Sequence, residues 1–302
     1  MPTIQTALTP KELADISRKA DQPGVLRLIV HLSVLAGSGS FIVMTENSIG
    51  LALGLLVHGV VMTFLFAPLH ESVHRSAFRS RWLNRLAGWI GGAVLILPPR
   101  YFGHFHFAHH RYTQDPNRDP ELLTAKPTGW LEYLWLLSGI EYWYRAVGGL
   151  VRRAGGIVPP EYVPERQHHR VVAESRAFLG GYTAVAILSL YFQVDWVLWL
   201  WVYPALIGQP FLRAYLLAEH WGCPAIPDMW RNTRTTTTNP IVRFFAWNMP
   251  YHAEHHAHAS VPFHALPGLS RRMAASRQVV SPGYGEFHLR EAPDLIREGT
   301  GI

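Results

Sequence analysis

Cysteine is almost absent from this sequence of 302 residues, with Cys223 the only example. An intramolecular disulfide therefore cannot form, and neither a thiolate cage for zinc nor a cysteine-ligated iron–sulfur cluster can be built. Any metal that the protein holds must be bound by histidine or carboxylate side chains. Histidine, in contrast, is abundant, with 17 residues.

Charged residues are also scarce, at 16% of the chain, whereas apolar residues make up 49% and the mean hydropathy is +0.07. This balance, with 12% aromatic residues, favours a membrane protein over a water-soluble enzyme. The net charge of +6 raises the question of nucleic acid, but Lys and Arg are spread among apolar segments and form no basic stripe. We therefore expect anionic lipid headgroups, and no nucleic acid, as partners of these cations.

Two functional patterns are missing as well. Residues 1–23 lack the order of a signal peptide, so we expect a cytoplasmic leader, in which Thr9, Pro10 and Glu12 begin a short helix as a capping box. No Gly-rich dinucleotide fingerprint follows a predicted strand, and no cytochrome-like segment is present. Electrons for a redox reaction would have to come from an external donor.

Four apolar stretches approach the roughly 20 residues that a helix needs to cross a bilayer. They cover residues 25–44, 49–69, 177–192 and 196–218. A short polar break separates the members of each pair, which predicts two helical hairpins within a membrane domain over residues 24–270. Residues 271–302 are expected to form a cytoplasmic tail.

The loops predict the orientation, because Lys and Arg are retained on the cytoplasmic side of a membrane. Both hairpin tips lack these residues, whereas the leader and residues 75–176 contain many. The tips should face outward, with the leader, the middle segment and everything after His220 in the cytoplasm. Residues 83–97 are expected to form a re-entrant or interfacial helix, and residues 130–150 a helix that lies in the interface. The predicted fold is an all-α membrane protein with four spans in two hairpins and a cytoplasmic helical cap.

Three histidine motifs lie in the predicted cytoplasmic part of the chain, and His220 adds a further imidazole at the end of the fourth predicted span. The first motif is His-x-x-x-His at residues 70–74, and His-x-x-His-His occurs at residues 106–110 and 252–256. Helical residues four apart share a face, so both imidazoles of the first motif can point at one metal, and in each later motif the first histidine shares a face with the other two. The candidate ligands and catalytic residues are His70, His74, His106, His109, His110, His220, His252, His255 and His256.

The number of imidazoles indicates the kind of metal site. Protonated together they would repel one another, whereas metals hold them neutral and oriented. Imidazole suits Zn, Cu, Fe and Ni, and zinc sites usually close at four ligands. Nine histidines therefore suit two ions with positions left open, as expected for two irons that bind and activate O₂.

In this order, around two hairpins, the motifs resemble the histidine boxes of the membrane fatty acid desaturase family, over roughly residues 25–270. His220 matches the additional histidine after the last span of that family, and residues 248–251 and 262–264 resemble bacterial members. The family's acyl-CoA members carry Asn four residues before the additional histidine, where this chain has Leu216. The resemblance therefore implies neither a tenth ligand nor an acyl-CoA substrate.

The resemblance implies a non-haem di-iron oxidoreductase in a bacterial inner membrane, with its active site on the cytoplasmic face. Its reaction would use O₂ and electrons from a ferredoxin-like or other external donor to desaturate a fatty acyl or related lipid chain. We expect an apolar channel for this chain, with walls from the spans and from residues 83–97.

Other polar side chains near the motifs have two possible roles each. Asp115 and Asp119 either accept hydrogen bonds from ligand imidazoles or belong to a turn. His58 lies about 18 Å along its helix from His70, so it should pack or line a tunnel instead of binding metal. Three more histidines are either outer-sphere groups or surface residues: His104, His258 and His264.

Three alternatives remain open at this point. A hydroxylase or an oxidative decarboxylase would begin with the same abstraction of hydrogen from an unactivated carbon. The first motif also fits the HExxH signature of zinc proteases, with Glu71 as general base, which would leave most of the histidines unexplained. A carrier of metal or haem would need ligands near the middle of the bilayer, where the spans offer only His31 and His58.

Overall fold

The computed structural model describes residues 8–299, which form a mostly helical protein. Its first helix, α1 (Pro10–Ile16), begins with the predicted capping box: Glu12 N donates to the Thr9 side chain, and Thr9 N donates to the Glu12 carboxylate. This prediction is confirmed. The ends of the predicted leader and tail, residues 1–7 and 300–302, lie outside the described residues.

Within residues 8–299, three helical segments are long and apolar enough to cross a membrane. They are Gln22–Met44, Ser48–Val73 and Glu165–Tyr191. The first is α2, the second joins α3 (Ser48–Thr63) to α4 (Phe66–Val73), and the third is α9. These segments contain the first three predicted spans, except for Phe192 at the end of the third.

The prediction of a fourth span over residues 196–218 is wrong, since this segment is not among the helices that can span by length and composition. A wide π-helical turn occupies Leu198–Val202, and α10 (Tyr203–His220) contains Pro210. The segment packs closely against α3: a Cβ atom on Gly208 would lie 2.0 Å from Gly59 O. A helix packed against protein can carry polar side chains that a lipid-facing helix excludes.

The segment between the predicted hairpins forms four helices. α5 (Arg81–Leu95) packs on α4, and α6 (Pro99–Tyr112) follows it. The expected single interfacial helix over residues 130–150 is divided into α7 (Trp130–Ser138) and α8 (Ile140–Ala154). The division occurs at Gly139, whose φ of 71° is the left-handed conformation that favours glycine and ends helices.

The C-terminal part of the chain folds over the end of α10. Its helices are α11 (Pro240–Phe245), α12 (His252–Ala257), α13 (Leu266–Arg272), α14 (Tyr284–Glu286) and α15 (Ala292–Glu298). The two strands of the described chain, β1 (Thr235–Thr236) and β2 (Val280–Ser281), pair in parallel. Short 3₁₀ and π-helical turns occupy Pro120–Leu123 and Phe287–Glu291.

Arg234 fastens this C-terminal layer to α10. Its Nη1 donates to Ala218 O and Trp221 O, where helix carbonyls lack helical partners, and its Nη2 lies 3.3 Å from a carboxylate oxygen of Glu291. The Phe287 ring stacks under the guanidinium. One charged side chain therefore holds the end of α10, where His220 lies, against the last described helices.

Candidate metal centre

The structure brings all nine predicted histidines together in two adjacent groups, within each of which the potential ligand nitrogens lie within 4.8 Å of one another. The first group contains His70, His74, His106, His110 and His255. The second group contains His109, His220, His252 and His256, all buried. These are called group 1 and group 2 below.

Each His-x-x-His-His motif divides its imidazoles between the groups. In α6, His106 and His110 join group 1, and His109 joins group 2. In α12 the distribution is reversed, because His255 joins group 1. Residues four apart therefore serve one group, and the middle histidine of each motif reaches the other. Both histidines of the first motif join group 1, as their spacing predicts, whereas each His-x-x-His-His motif serves both groups because its helix lies between them.

The spacing of the nitrogens in group 1 is that of ligands around an ion. The Nε2 atoms of His74 and His106 are 2.8 Å apart, those of His106 and His110 are 2.9 Å apart, and those of His110 and His255 are 3.2 Å apart. Two imidazole nitrogens about 2.1 Å from one metal, at right angles, would be about 3 Å apart. His70 completes the group, and its Nε2 is buried without a hydrogen-bond partner among residues 8–299.

The hydrogen bonds of group 2 test more directly whether these histidines fit a bound metal. His109 Nδ1 donates to the Asp119 carboxylate at 2.9 Å, and His220 Nδ1 donates to Asn232 O at 3.1 Å. A neutral imidazole carries one N–H, so the Nε2 atoms of both residues present lone pairs. These two atoms face each other at 3.2 Å. Facing lone pairs repel unless a proton or a metal ion lies between them, so this donor set fits a bound metal.

Burial keeps most of these imidazoles in the neutral form that binds metal. It lowers the pKa values of His106, His110 and His255 well below 6.5, and the neighbouring imidazoles add to the effect. His109 differs: burial opposes its protonation, but Glu121 and Asp119 outweigh burial and raise its pKa.

Asp119, and not Asp115, meets a histidine of the centre. Its carboxylate accepts hydrogen bonds from His109 and from the backbone N–H groups of Gln114 and Glu121. Asp115 instead pairs with Arg118 in an exposed turn. Asp119 therefore accepts a hydrogen bond from a candidate ligand imidazole, whereas Asp115 belongs to the turn.

Three further polar residues near the histidines were not predicted. Glu219 Oε1 lies 3.3 Å from His252 Nδ1. Its position next to His220 in the sequence could have identified it as a neighbour of the site. Asn232 supplies the carbonyl for His220, and the Gln114 side chain donates to His220 O and Cys223 O. No local pattern marks Gln114 or Asn232, because their contacts join distant segments of the chain.

Glu71 has a structural role that argues against the zinc protease. Its carboxylate is fully buried and accepts hydrogen bonds from Ser76 Oγ at 2.8 Å and Phe263 N at 3.2 Å. These contacts tie the first motif to the segment after the third motif. A general base of an HExxH site must instead reach a metal-bound water.

An apolar cavity of about 20 Å³ lies beside both groups. Its hydrocarbon walls come from the junction between α3 and α4, from α4 and α10, and from the segment before α12: Phe64, Phe66, Ala67, Leu212, Tyr215, Leu216, Ala246 and Met249. The expected wall from residues 83–97 is not among its lining residues. The cavity holds about one water molecule, so the acyl channel that we expected is not open in this structure. Leu216, at the position considered for a tenth ligand, contributes an apolar side chain to this cavity.

The remaining histidines lie outside both groups. His58 contacts Ser38 Oγ and Leu200 O and lines a separate open groove of about 550 Å³, which agrees with a packing or lining role. His168 Nε2 donates to Val163 O. The three histidines with two possible roles are half-buried and belong to neither group: His104, His258 and His264.

Comparison with known proteins gives a consistent result. Residues 47–287 match the family model described as fatty acid desaturase. The chain is 24% identical over 255 residues to an sn-1 oleoyl-lipid 12-desaturase of Picosynechococcus, which covers 76% of this chain and 68% of that protein. It is 26% identical over 242 residues to a sphingolipid delta(4)-desaturase of Xenopus tropicalis, which covers 77% of this chain and 68% of that protein.

Proposed function

Since this chain belongs to the fatty acid desaturase family, we propose that it is a non-haem di-iron enzyme of the membrane that uses O₂ to desaturate a fatty acyl or related lipid chain. Two groups of converging imidazoles, with facing lone pairs in group 2, carry this proposal. We propose the nine histidines of groups 1 and 2 as the metal ligands and catalytic residues. Each group would hold one iron.

Two bound iron ions would supply the activation of O₂ needed to remove hydrogen from an unactivated carbon. The protein would hold and aim the ligands: Asp119 and Asn232 accept the Nδ1–H groups of His109 and His220, so that Nε2 of each faces inward. Leu212, Leu216 and Met249 would hold a methylene segment beside the centre and exclude water.

Desaturation removes two hydrogen atoms from the chain, and reduction of O₂ to two waters needs two further electrons and two protons. We propose that these electrons come from a ferredoxin-like or other external protein. If this donor is acidic, its surface would complement the Arg-rich segments after the second span. In these segments Arg79, Arg100 and Arg118 lie on the described surface.

For the location, we propose a bacterial inner membrane with the metal centre on the cytoplasmic face. His70 lies near the end of the segment Ser48–Val73, so group 1 lies near one membrane boundary. The polar turn at residues 45–47, at the other end of this segment, contains no Lys or Arg.

The experiment is product analysis with the purified, iron-loaded enzyme, reduced ferredoxin, O₂ and a panel of acyl lipids. We expect two irons per chain and a product lighter than its substrate by two hydrogen atoms. A product heavier by one oxygen atom would indicate a hydroxylase, and loss of CO₂ with a terminal alkene would indicate a decarboxylase. One zinc per chain with cleavage of a peptide would replace the proposal with the protease.

A further inference from the structure

A second set of buried polar groups lies between α10 and the helical pair α7–α8. Gln209 is 0% exposed, and neither Oε1 nor Nε2 of its amide has a hydrogen-bond partner within residues 8–299. Nε of Arg213 and Nε1 of Trp143 are also buried and unpaired in this part of the chain. Buried polar groups are normally paired, because each unpaired one loses its hydration without compensation.

Gln209 and Arg213 contact the start of α8, whose first turn also carries Trp143. Arg213 Cζ lies 4.6 Å from the centroid of the Tyr142 ring, and the Trp143 ring centroid is 5.0 Å from that of Tyr142. Gly139 presses on Gln209, since a Cβ atom there would lie 2.4 Å from Gln209 Cγ. Gln209 and Arg213 are four residues apart on α10 and therefore share a face.

The guanidinium of Arg213 is a cation without a matching anion. No carboxylate of residues 8–299 lies within ion-pair distance of it, and Glu121 and Glu219 act on it only from farther away. Arg presents several donors in a fork that suits carboxylate and phosphate oxygens. Trp143 adds a donor, and the Gln209 amide can donate or accept.

The cluster is connected to the metal centre by one face of α10. Gln209, Arg213, Leu216 and His220 follow one another at spacings of four, three and four, so they form one stripe. Leu216 lines the cavity beside the histidines. Arg213 lies about 10 Å from His220 along the helix axis.

We propose that Arg213, Gln209 and Trp143 bind the polar end of the lipid substrate, an anionic group with several acceptor oxygens, either carboxylate or phosphate. This inference rests on the proposed desaturase function and adds its substrate class. Anchoring the polar end at Arg213 would fix which methylene reaches the cavity at Leu216. The position of the double bond would then be counted from the polar end of the lipid.

Entry of the polar end requires the turn at Gly139 to move away from Gln209. The outer faces of α7 and α8 are exposed and apolar, which suits a helical pair that rests in the lipid interface and can be displaced there. The exposed residues are Trp130, Leu131, Leu134, Trp135, Ile140, Tyr144, Val147 and Val151.

The test uses Gln209→Met and Arg213→Met, which keep most of the side-chain volume and remove the polar groups. If these groups served only the fold, their loss would leave substrate binding unchanged. For a binding site, we expect equal or higher thermal stability and unchanged iron content, because unpaired buried polar groups are removed. KM for an anionic lipid should rise about tenfold or more.

The matched control is Arg145→Met, which removes an exposed cation of the same helical pair that is paired with Glu141. Its KM should stay at the wild-type value. Substrates with one acyl chain and different ends separate the possible ligands: a free fatty acid, a phospholipid and an uncharged methyl ester. An effect confined to the fatty acid indicates a carboxylate, and one confined to the phospholipid indicates phosphate. Equal effects on the methyl ester, or none on any substrate, would overturn the site.

Binding without turnover separates this proposal from the desaturase function. The shift in melting temperature caused by a saturated free fatty acid or phospholipid should be present in the wild type and lost in Arg213→Met. If no lipid is desaturated but this difference persists, the site stands and the proposed reaction fails. If desaturation occurs and the variants bind lipid as the wild type does, the site fails and the reaction stands.

Discussion

At the scale of single residues, the proposed chemistry depends on imidazoles that are neutral and correctly aimed. His109 and His220 donate through Nδ1 to oxygen acceptors, which leaves their Nε2 lone pairs directed at each other. An imidazole outside the groups, such as His168, spends its donor on a nearby carbonyl. A candidate ligand is therefore distinguished by its remaining nitrogen: in His109 and His220 this is Nε2, which faces another histidine of the group.

Replacing any one ligand should remove metal and activity together. For His109→Ala, His220→Ala and His255→Ala, we expect loss of turnover and a lower iron content, because each change leaves one ion under-coordinated. Iron is measured by mass spectrometry of the purified protein, beside product formation. His168→Ala is the control and should retain both. Full iron content and activity in His220→Ala would show that His220 is not a metal ligand.

The two aspartates after the second motif provide a matched pair. Asp119→Asn removes the charge that faces His109 but keeps the shape of the side chain, so we expect metal affinity to fall by about 10- to 100-fold. Asp115→Asn, in the exposed turn with Arg118, should leave affinity unchanged. Titration of the iron-loaded variants with a chelator measures the difference. Equal affinities in the two variants would show that Asp119 does not support the site.

Acidification should destabilise the metal-free protein. Burial lowers the pKa values of His106, His110 and His255 well below 6.5, so the folded chain keeps them neutral while the unfolded chain binds protons near pH 6.5. The unfolded state therefore gains protons first, and stability is full above about pH 6.5 and lost below it. Melting temperatures of the chelated protein between about pH 8 and pH 5 test this. A melting temperature that rises on acidification would contradict the buried neutral state.

At the scale of helices, the position of α10 depends on contact between backbones. Gly59 and Gly208 bring α3 and α10 together, since a Cβ atom on either would lie 2.2 Å or less from a carbonyl oxygen of the other helix. The same helix ends at His220 and carries Arg213, so this contact positions both the metal centre and the proposed lipid site.

Gly208→Ala should force the two helices apart. We expect a loss of about 1–3 kcal/mol in the free energy of unfolding, with lower activity because His220 moves. Gly180→Ala is the control, since a Cβ atom on Gly180 meets nothing within 4 Å and alanine favours a helix. Thermal unfolding of the two variants measures the contrast. A Gly208→Ala protein as stable as Gly180→Ala would show that the helices separate at little cost.

At the scale of the whole molecule, the candidate metal centre joins parts of the chain that are distant in sequence. Group 1 draws on α4, α6 and α12, and group 2 on α6, α10 and α12. The segment from 280 to 299 covers the end of α10 through Arg234 and Glu291. This segment therefore closes the site from one side at the end of α10, where His220 lies.

The proposed orientation can be measured with single cysteines, since Cys223 is buried and can be replaced by Ala first. Glu46→Cys, in the turn between α2 and α3, should react with a membrane-impermeant thiol reagent on intact cells. Asn117→Cys, after the second motif, should react only after the membrane is opened. Both positions are exposed in the structure, so accessibility within the protein does not limit the reaction. Reaction of both on intact cells would contradict the orientation.

Local patterns in the sequence were sufficient for the helical class, the capping box at Thr9, the three candidate spans and the candidate histidines. These features depend on the composition and spacing of neighbouring residues, which the order of residues states directly. Helical spacing predicts which imidazoles share a face, and the three ordered motifs predict the family.

Only the tertiary structure decided how the histidines divide between two groups, because this depends on where α6 and α12 lie between the other helices. Hydropathy could not separate α10 from a spanning helix, because it records the polarity of a segment and not what packs against it. The partners of His109 and His220, and the unpaired Gln209 beside Arg213, were equally hidden. Such contacts join residues far apart in the chain, and their energies exist only once the helices have packed.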